Sequence, residues 1–261
     1  MGKLRFRYIL PALLGAMALS GHFYRDNYRN VDDLLPQTLQ EPVQTELAGS
    51  PRVFSCDRDG HFWEYTTVFN YDISGLVFGA SHKLLSWYNG AVPADIGILW
   101  GENASRGLYK NVKLRVRLSH YMAYIRSGTE FRMDQASNNH IATCNPAVSE
   151  KVRSILTGDQ VRIRGWLVNG RVMPARGETR PEKIGIWNSS ATRKDGGEGA
   201  CELVYVEKPE DITILKRGPM FWEIAYHVCL YAFVAGFAAA VFLFHRRMKR
   251  LLAQDGASTA S

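Results

Sequence analysis

Cysteine is scarce, with four in 261 residues, too few for a disulfide-framed mini-scaffold. No internal repeat occurs, which excludes a solenoid. G-x-S-x-G, S-x-x-K and Walker loops are missing, and with them the common hydrolase and nucleotide signatures. Paired zinc spacings such as Cys-x-x-Cys or His-x-x-x-His are missing too. Asp57–Arg58–Asp59–Gly60–His61 opens like a calcium loop, but position twelve from Asp57 is Val68, where an EF-hand needs Glu. That run reads as a polar turn. His82, His120 and His140 stand singly. Neither a metal nor a cofactor is expected. Disorder is excluded as well, because 46% of the residues are hydrophobic and only 22% charged.

Charge is what the chain does have. Lys and Arg number 32 against 25 Asp and Glu, a net +7. Most of the excess sits at the ends. Lys3, Arg5 and Arg7 lie at one, Arg246, Arg247, Lys249 and Arg250 near the other, and each cluster flanks an apolar run. A basic chain is often a nucleic-acid binder. Basic clusters flanking apolar runs belong instead to membranes, so the expected partner is a lipid bilayer and nucleic acid is not expected.

Ile224–Phe244 is 21 residues without a formal charge, and about 20 helical residues cross the hydrocarbon core. Phe221 and Trp222 stand at its entrance as interfacial anchors. The first run, Tyr8–Gly21, has 14 residues, extendable to Tyr24. It reads as an uncleaved anchor or as a signal peptide cleaved after Ala16–Met17–Ala18. Either one exports the residues beyond it. With two spans, the positive-inside rule puts both termini in the cytoplasm and residues 25–220 in the periplasm, with a bacterial inner membrane as the setting. Small residues recur at spacing four in both runs, Ala12, Ala16 and Ser20 in one and Ala232, Gly236 and Ala240 in the other, a stripe that permits close helix approach. The expected organisation is an anchor at 1–24, a tether at 25–51, an exported domain at 52–218, a membrane helix at 219–245 and a tail at 246–261.

The exported part reads mostly as strands. His61–Phe69 and Ile73–Phe78 are separated by Asn70–Tyr71–Asp72, a turn-like break, and Ile96–Trp100 is a short apolar run. In Val112–Leu118 the residues Val112, Leu114, Val116 and Leu118 alternate with Lys113, Arg115 and Arg117, the pattern of a half-buried antiparallel strand. One soluble helix is expected. Asn145 caps it, Pro146 opens it, Val148, Val152, Ile155 and Leu156 form its apolar face, and Gly158 stops it. A strand over Val161–Val168 then meets Asn169–Gly170, a hairpin signal, with Arg171–Val172–Met173 returning. Further strands are expected at Ile184–Trp187 and Glu202–Val206, with a loop at Thr192–Gly199. The fold class is therefore mainly β, with OB-like or Greek-key small-barrel elements plus a short helix, between two transmembrane helices.

The segments YDISGLVFGASH, GDQVRIRGWLV and GACELVYV resemble, across residues 60–206, an uncharacterised group of bacterial membrane-anchored proteins with an OB-like exported domain. The resemblance implies a compact β-rich module and brings no activity.

Cys229 lies within the second span; Cys56, Cys144 and Cys201 are exported, into an environment where disulfides form. A Cys144–Cys201 bridge is expected first, flanking the barrel-like unit. Cys56 pairing with either, or three thiols, are the alternatives. A catalytic thiol at Cys144 with His140 four residues away lacks a third orienting group in the sequence. Charge is polarised along the domain. Residues 25–105 carry net −6, residues 106–180 net +9 and residues 181–223 net −2. Either acidic and basic sheets neutralise each other, or Lys113, Arg115, Arg117, Arg162, Arg164 and Arg171 form a face for an anionic partner. The expected role is a non-enzymatic adaptor or assembly subunit contacting other envelope proteins. An envelope enzyme with an unrecognised site, or a binding module for an anionic polymer or lipid headgroup, is the alternative.

Overall fold

The structure is a computed structural model that describes residues 6–82, 88, 90–117, 120–174, 185–192 and 201–258. The chain divides into two units, residues 25–219 and the paired terminal segments 1–24 and 220–261.

The larger unit is sheet-rich. Its strands are β1 (Val43–Glu46), β2 (Val53–Arg58), β3 (His61–His82), β4 (Ala94–Leu99), β5 (Lys113–Arg117), β6 (His120–Tyr124), β7 (Ala136–Ala142), β8 (Gln160–Pro174), β9 (Gly185–Asn188), β10 (Glu202–Tyr205) and β11 (Ile212–Lys216). β3 pairs with β4, β4 with β7, β7 with β10, β10 with β8, and β8 again with β3. These five strands close a ring. Only β7 and β10 run parallel within it. β1, β2, β9 and β11 add to its rims, and β5 and β6 form a separate two-stranded sheet. Among the described residues, two short helices belong to the same unit, α2 (Gly101–Ser105) and α3 (Pro146–Arg153).

Alternation explains the ring. Ile96 and Ile98 from β4, Ile141 from β7, Val161 and Ile163 from β8 and Val204 from β10 fill one cluster and are fully buried. Each such side chain contributes about 1.5–3 kcal/mol by leaving water. Helix α3 packs into the same cluster through Val148 and Val152. It forms where expected. Asn145 Oδ1 accepts from Ala147 N at 3.0 Å, and Pro146 occupies the first turn. It ends at Arg153, short of Gly158, whose φ of +95° is the left-handed conformation that favours glycine.

Three expectations about the chain path need correction. Asn70–Tyr71–Asp72 is not a break, because β3 runs through it while pairing with β8 from His61 to Leu76. Asn169–Gly170 is not a hairpin either. Both residues lie mid-strand, Asn169 opposite Thr66 and Asn188, and Gly170 opposite Tyr65 and Trp187. Glycine suits that position for another reason, since a Cβ there would meet Leu203 Cδ2 at 2.9 Å and the Tyr65 ring at 3.4 Å. Long-range pairing on both edges overrides the local turn preference.

The segment 25–51 is not a tether. Its 3-10 turns at Asn27–Asn30 and Pro36–Leu39 and its strand β1 fold onto the ring. Tyr28 is fully buried beside Phe78, Tyr109 and Leu114. Its hydroxyl donates to Val112 O at 2.7 Å and accepts from Leu114 N at 2.8 Å. Burial pushes the phenol up to about 12. Gln160 ties the next turn by accepting from Leu35 N and donating to Asp33 O. Prolines and weak periodicity concealed this, because these contacts are made one residue at a time. The strand expectation at 112–118 holds for its apolar face, where Val112 and Leu114 are buried. Most of the loop expected at Thr192–Gly199 lies outside the described residues.

The other unit pairs helix α1 (Phe6–Arg25) with helix α4 (Phe221–Ser258). The Phe23 and Trp222 rings stack at 4.6 Å, and Tyr24 stacks on Tyr226. Of the small residues, Ser20 is buried with its Oγ 3.9 Å from Cys229 Sγ, and Gly236 faces Leu13. The α4 segment Phe221–Arg250 is long and apolar enough to cross a membrane, with none of it buried.

Candidate functional site

The six cations singled out from the sequence do not form one face among the described residues. Lys113, Arg115 and Arg117 belong to the separate hairpin and Arg162, Arg164 and Arg171 to β8. Arg115 pairs with Asp26 at 2.5 Å, and Arg164 with Asp211 at 3.1 Å. Arg162 clasps Asp72 through Nε and Nη2, at 2.9 and 2.5 Å, and the bond to Asp72 holds its guanidinium above the usual range. Arg171 faces Glu64 across the β3–β8 ladder, and Lys113 is exposed on the hairpin. The Arg117 side chain lies outside the described residues. Three of the six cations are thus matched with carboxylates brought from elsewhere in the chain, Asp26 of the N-terminal segment, Asp72 of β3 and Asp211 before β11.

The cysteines also differ from expectation. Cys144 is bonded to Cys56, with the Cα atoms 5.8 Å apart, and not to Cys201. Register explains why. β10 runs parallel to β7 with Glu202 opposite Asn139, so Cys201 lies level with Asn138, six residues before Cys144. At about 3.3 Å per residue that is roughly 20 Å, beyond the reach of a disulfide. Cys56 instead emerges on β2, and Arg58 from the same strand donates to Cys144 O at 3.0 Å.

Cys201 thus keeps its thiol, and its surroundings are the most chemically organised in the domain. Asp95 on β4 is directly opposite His140 on β7, where cross-strand Cβ atoms are about 5 Å apart. Asp95 is wholly buried, and its Oδ1 lies 2.7 Å from His140 Nδ1. Cys201, level with Asn138 on the neighbouring strand, also hydrogen-bonds to the His140 side chain. Burial alone would lower the imidazole, but hydrogen bonds to Asp95 and Cys201 outweigh it and raise it to about 9. Trp187 flanks the ring, with centroids 6.2 Å apart. Asn138 is 1% exposed. Its Nδ2 lies 3.9 Å from Cys201 Sγ, and its Oδ1 has no partner among the described residues. Tyr121 is pushed upward by burial, then by Glu202 and Cys201. Among the described residues no three His, Cys, Asp or Glu side chains converge on a point that could hold a metal. Asp95, His140 and Cys201 form a line with the imidazole in the middle.

No local pattern signals this row, because positions 95, 140 and 201 are brought together only by strand order. The one hint in the sequence is the odd number of cysteines outside the apolar runs.

A second feature lies around Arg52. Arg52 stacks over Phe54 and Trp166, 4.6 and 4.8 Å from their centroids, and pairs with Glu207 at 3.2 Å. Beside Trp166 a groove of about 230 Å³ is lined by Val43, Asn70, Tyr71, Arg164 and Asp211. No protein family, no curated protein and no solved structure matches this chain.

Proposed function

We propose that this chain is a bacterial inner-membrane protein whose two membrane helices anchor an exported, OB-like barrel acting as an adaptor or assembly subunit of an envelope complex. The observation that carries this reading is the 30-residue Phe221–Arg250 segment of α4, which contains an 18-residue stretch of mean hydropathy 2.1 with none of it buried. An apolar helix surface of that extent in water would be strongly unfavourable. Lipid removes the cost, and the basic run 246–250 is the expected cytoplasmic flank. A first span is supported by α1, whose 20 residues measure about 30 Å, and by its stacked contacts with α4. Export is supported by the Cys56–Cys144 disulfide, a bond that persists in oxidising compartments. The OB-like description is supported by the closed five-strand ring with its single parallel pairing. For a protein partner, the groove beside Trp166 offers an aromatic and an arginine, residue types enriched at interfaces.

Reporter fusions after Ser50 and after Pro209 should register export, and a fusion after Gln254 should register cytoplasm. An exported signal at Gln254 would overturn the two-span arrangement. A second reading, an envelope enzyme, is favoured by one observation, the Asp95–His140–Cys201 row.

A further inference from the structure

We propose that Cys201, His140 and Asp95 form an acyl-transfer site, with the Cys201 thiol as nucleophile toward an ester or thioester carbonyl. This inference rests on the enzyme reading and names its residues and substrate class.

Nucleophilic catalysis by a thiol needs a base within hydrogen-bond reach and a third group to orient that base. Cys201 hydrogen-bonds to His140, and His140 is held through Nδ1 by Asp95 at 2.7 Å. The buried carboxylate fixes the ring and stabilises the imidazolium once it carries a second proton. Acyl chemistry further needs a donor where negative charge develops on the carbonyl oxygen. Asn138 supplies one, a buried amide whose Nδ2 is directed at the sulfur. Redox pairing is disfavoured because the exported domain's other two cysteines are already joined to each other. Among the described residues, Trp187 flanks the imidazole and Tyr121 lies near Cys201 and Glu202.

In the first half-reaction the thiol proton passes to the neutral form of the His140 imidazole, which predominates only above about pH 9. The sulfur electron pair forms the S–C bond as the carbonyl π pair moves onto oxygen beside Asn138. Collapse breaks the bond to the leaving alkoxide or thiolate, which takes the proton back from His140. This leaves an acyl thioester on Cys201. Water, deprotonated by the same imidazole, then attacks that thioester, releasing the carboxylic acid and restoring the thiol.

The full chain in detergent, treated with p-nitrophenyl acetate, should release a burst of one nitrophenolate per chain. Peptide mass spectrometry should find the acetyl group on Cys201. Cys201→Ala should abolish the burst without changing the melting curve. His140→Gln should slow it by about 100-fold or more. Asp95→Asn should alter the pH profile of acylation, a readout that a merely structural carboxylate would leave in place. Acetyl found only on other residues, or a burst that survives Cys201→Ala, would overturn the proposal. Iodoacetamide separates the two levels. If it alkylates Cys201 at a rate that His140→Gln lowers while acetylation fails, the substrate class falls and the thiol site stands. If alkylation is indifferent to His140, the enzyme reading falls as well.

Discussion

Raising the pH should remove stability that the Asp95–His140 pair provides. The imidazole is raised from an ordinary 6.5 to about 9 in the folded chain. A group whose folded value lies above its unfolded one binds its proton more tightly when folded. Its contribution is therefore complete below about pH 6.5 and is lost as pH climbs through about 9. At roughly 1.36 kcal/mol per pH unit, that difference amounts to about 3 kcal/mol. It is a large share of a typical total of about 5–15 kcal/mol. The assay is urea unfolding of the full chain in detergent, followed by Trp fluorescence at half-unit steps from about pH 5.5 to 10, for the wild type and His140→Gln. The two should differ most below about pH 6.5 and converge above about pH 9. A gap that stays constant across the range would mean that His140 contributes by packing alone, and the ion pair with Asp95 would have to be abandoned.

Other outcomes depend on single contacts elsewhere in the domain. Reducing Cys56–Cys144 opens an 88-residue loop and should lower stability by roughly 4–5 kcal/mol, read as a reductant-dependent shift in the urea midpoint. Arg162→Glu breaks a pair whose arginine is 47% exposed and should cost about 1 kcal/mol or less. Arg115→Glu faces a largely buried Asp26 and should cost about 2 kcal/mol or more; equal effects would contradict these placements. Gly165→Ala should cost about 1–3 kcal/mol, because the new Cβ would stand 2.2 Å from Tyr205 O; an unchanged melting curve would refute that approach of β8 to β10.

What was legible in the sequence was local. The Asn145–Pro146 start and the Val148–Val152 face specify their helix within a short stretch, and the 112–118 alternation specifies which side of β5 is buried. What was illegible was set by partners far along the chain. Tyr28 looks like linker until Val112 and Leu114 arrive to bond its hydroxyl. Asn169–Gly170 looks like a turn until β3 and β9 pair on either side of it. The basic strands look like a docking face until Asp26, Asp72 and Asp211 are brought opposite. The candidate site is the extreme case, because a parallel β7–β10 register is needed to bring Cys201 to His140, and no spacing within the sequence encodes it.

The state of Cys56, Cys144 and Cys201 tests the central claim most directly, since it depends on the proposed export and on strand register together. Intact cells would be treated with an alkylating agent before lysis, and the purified chain digested without reductant and mapped by mass spectrometry. The expected result is a Cys56–Cys144 disulfide-linked peptide and an alkylated Cys201. A Cys144–Cys201 link would contradict the register of β7 and β10. Alkylation of Cys56 and Cys144 would contradict the oxidising location.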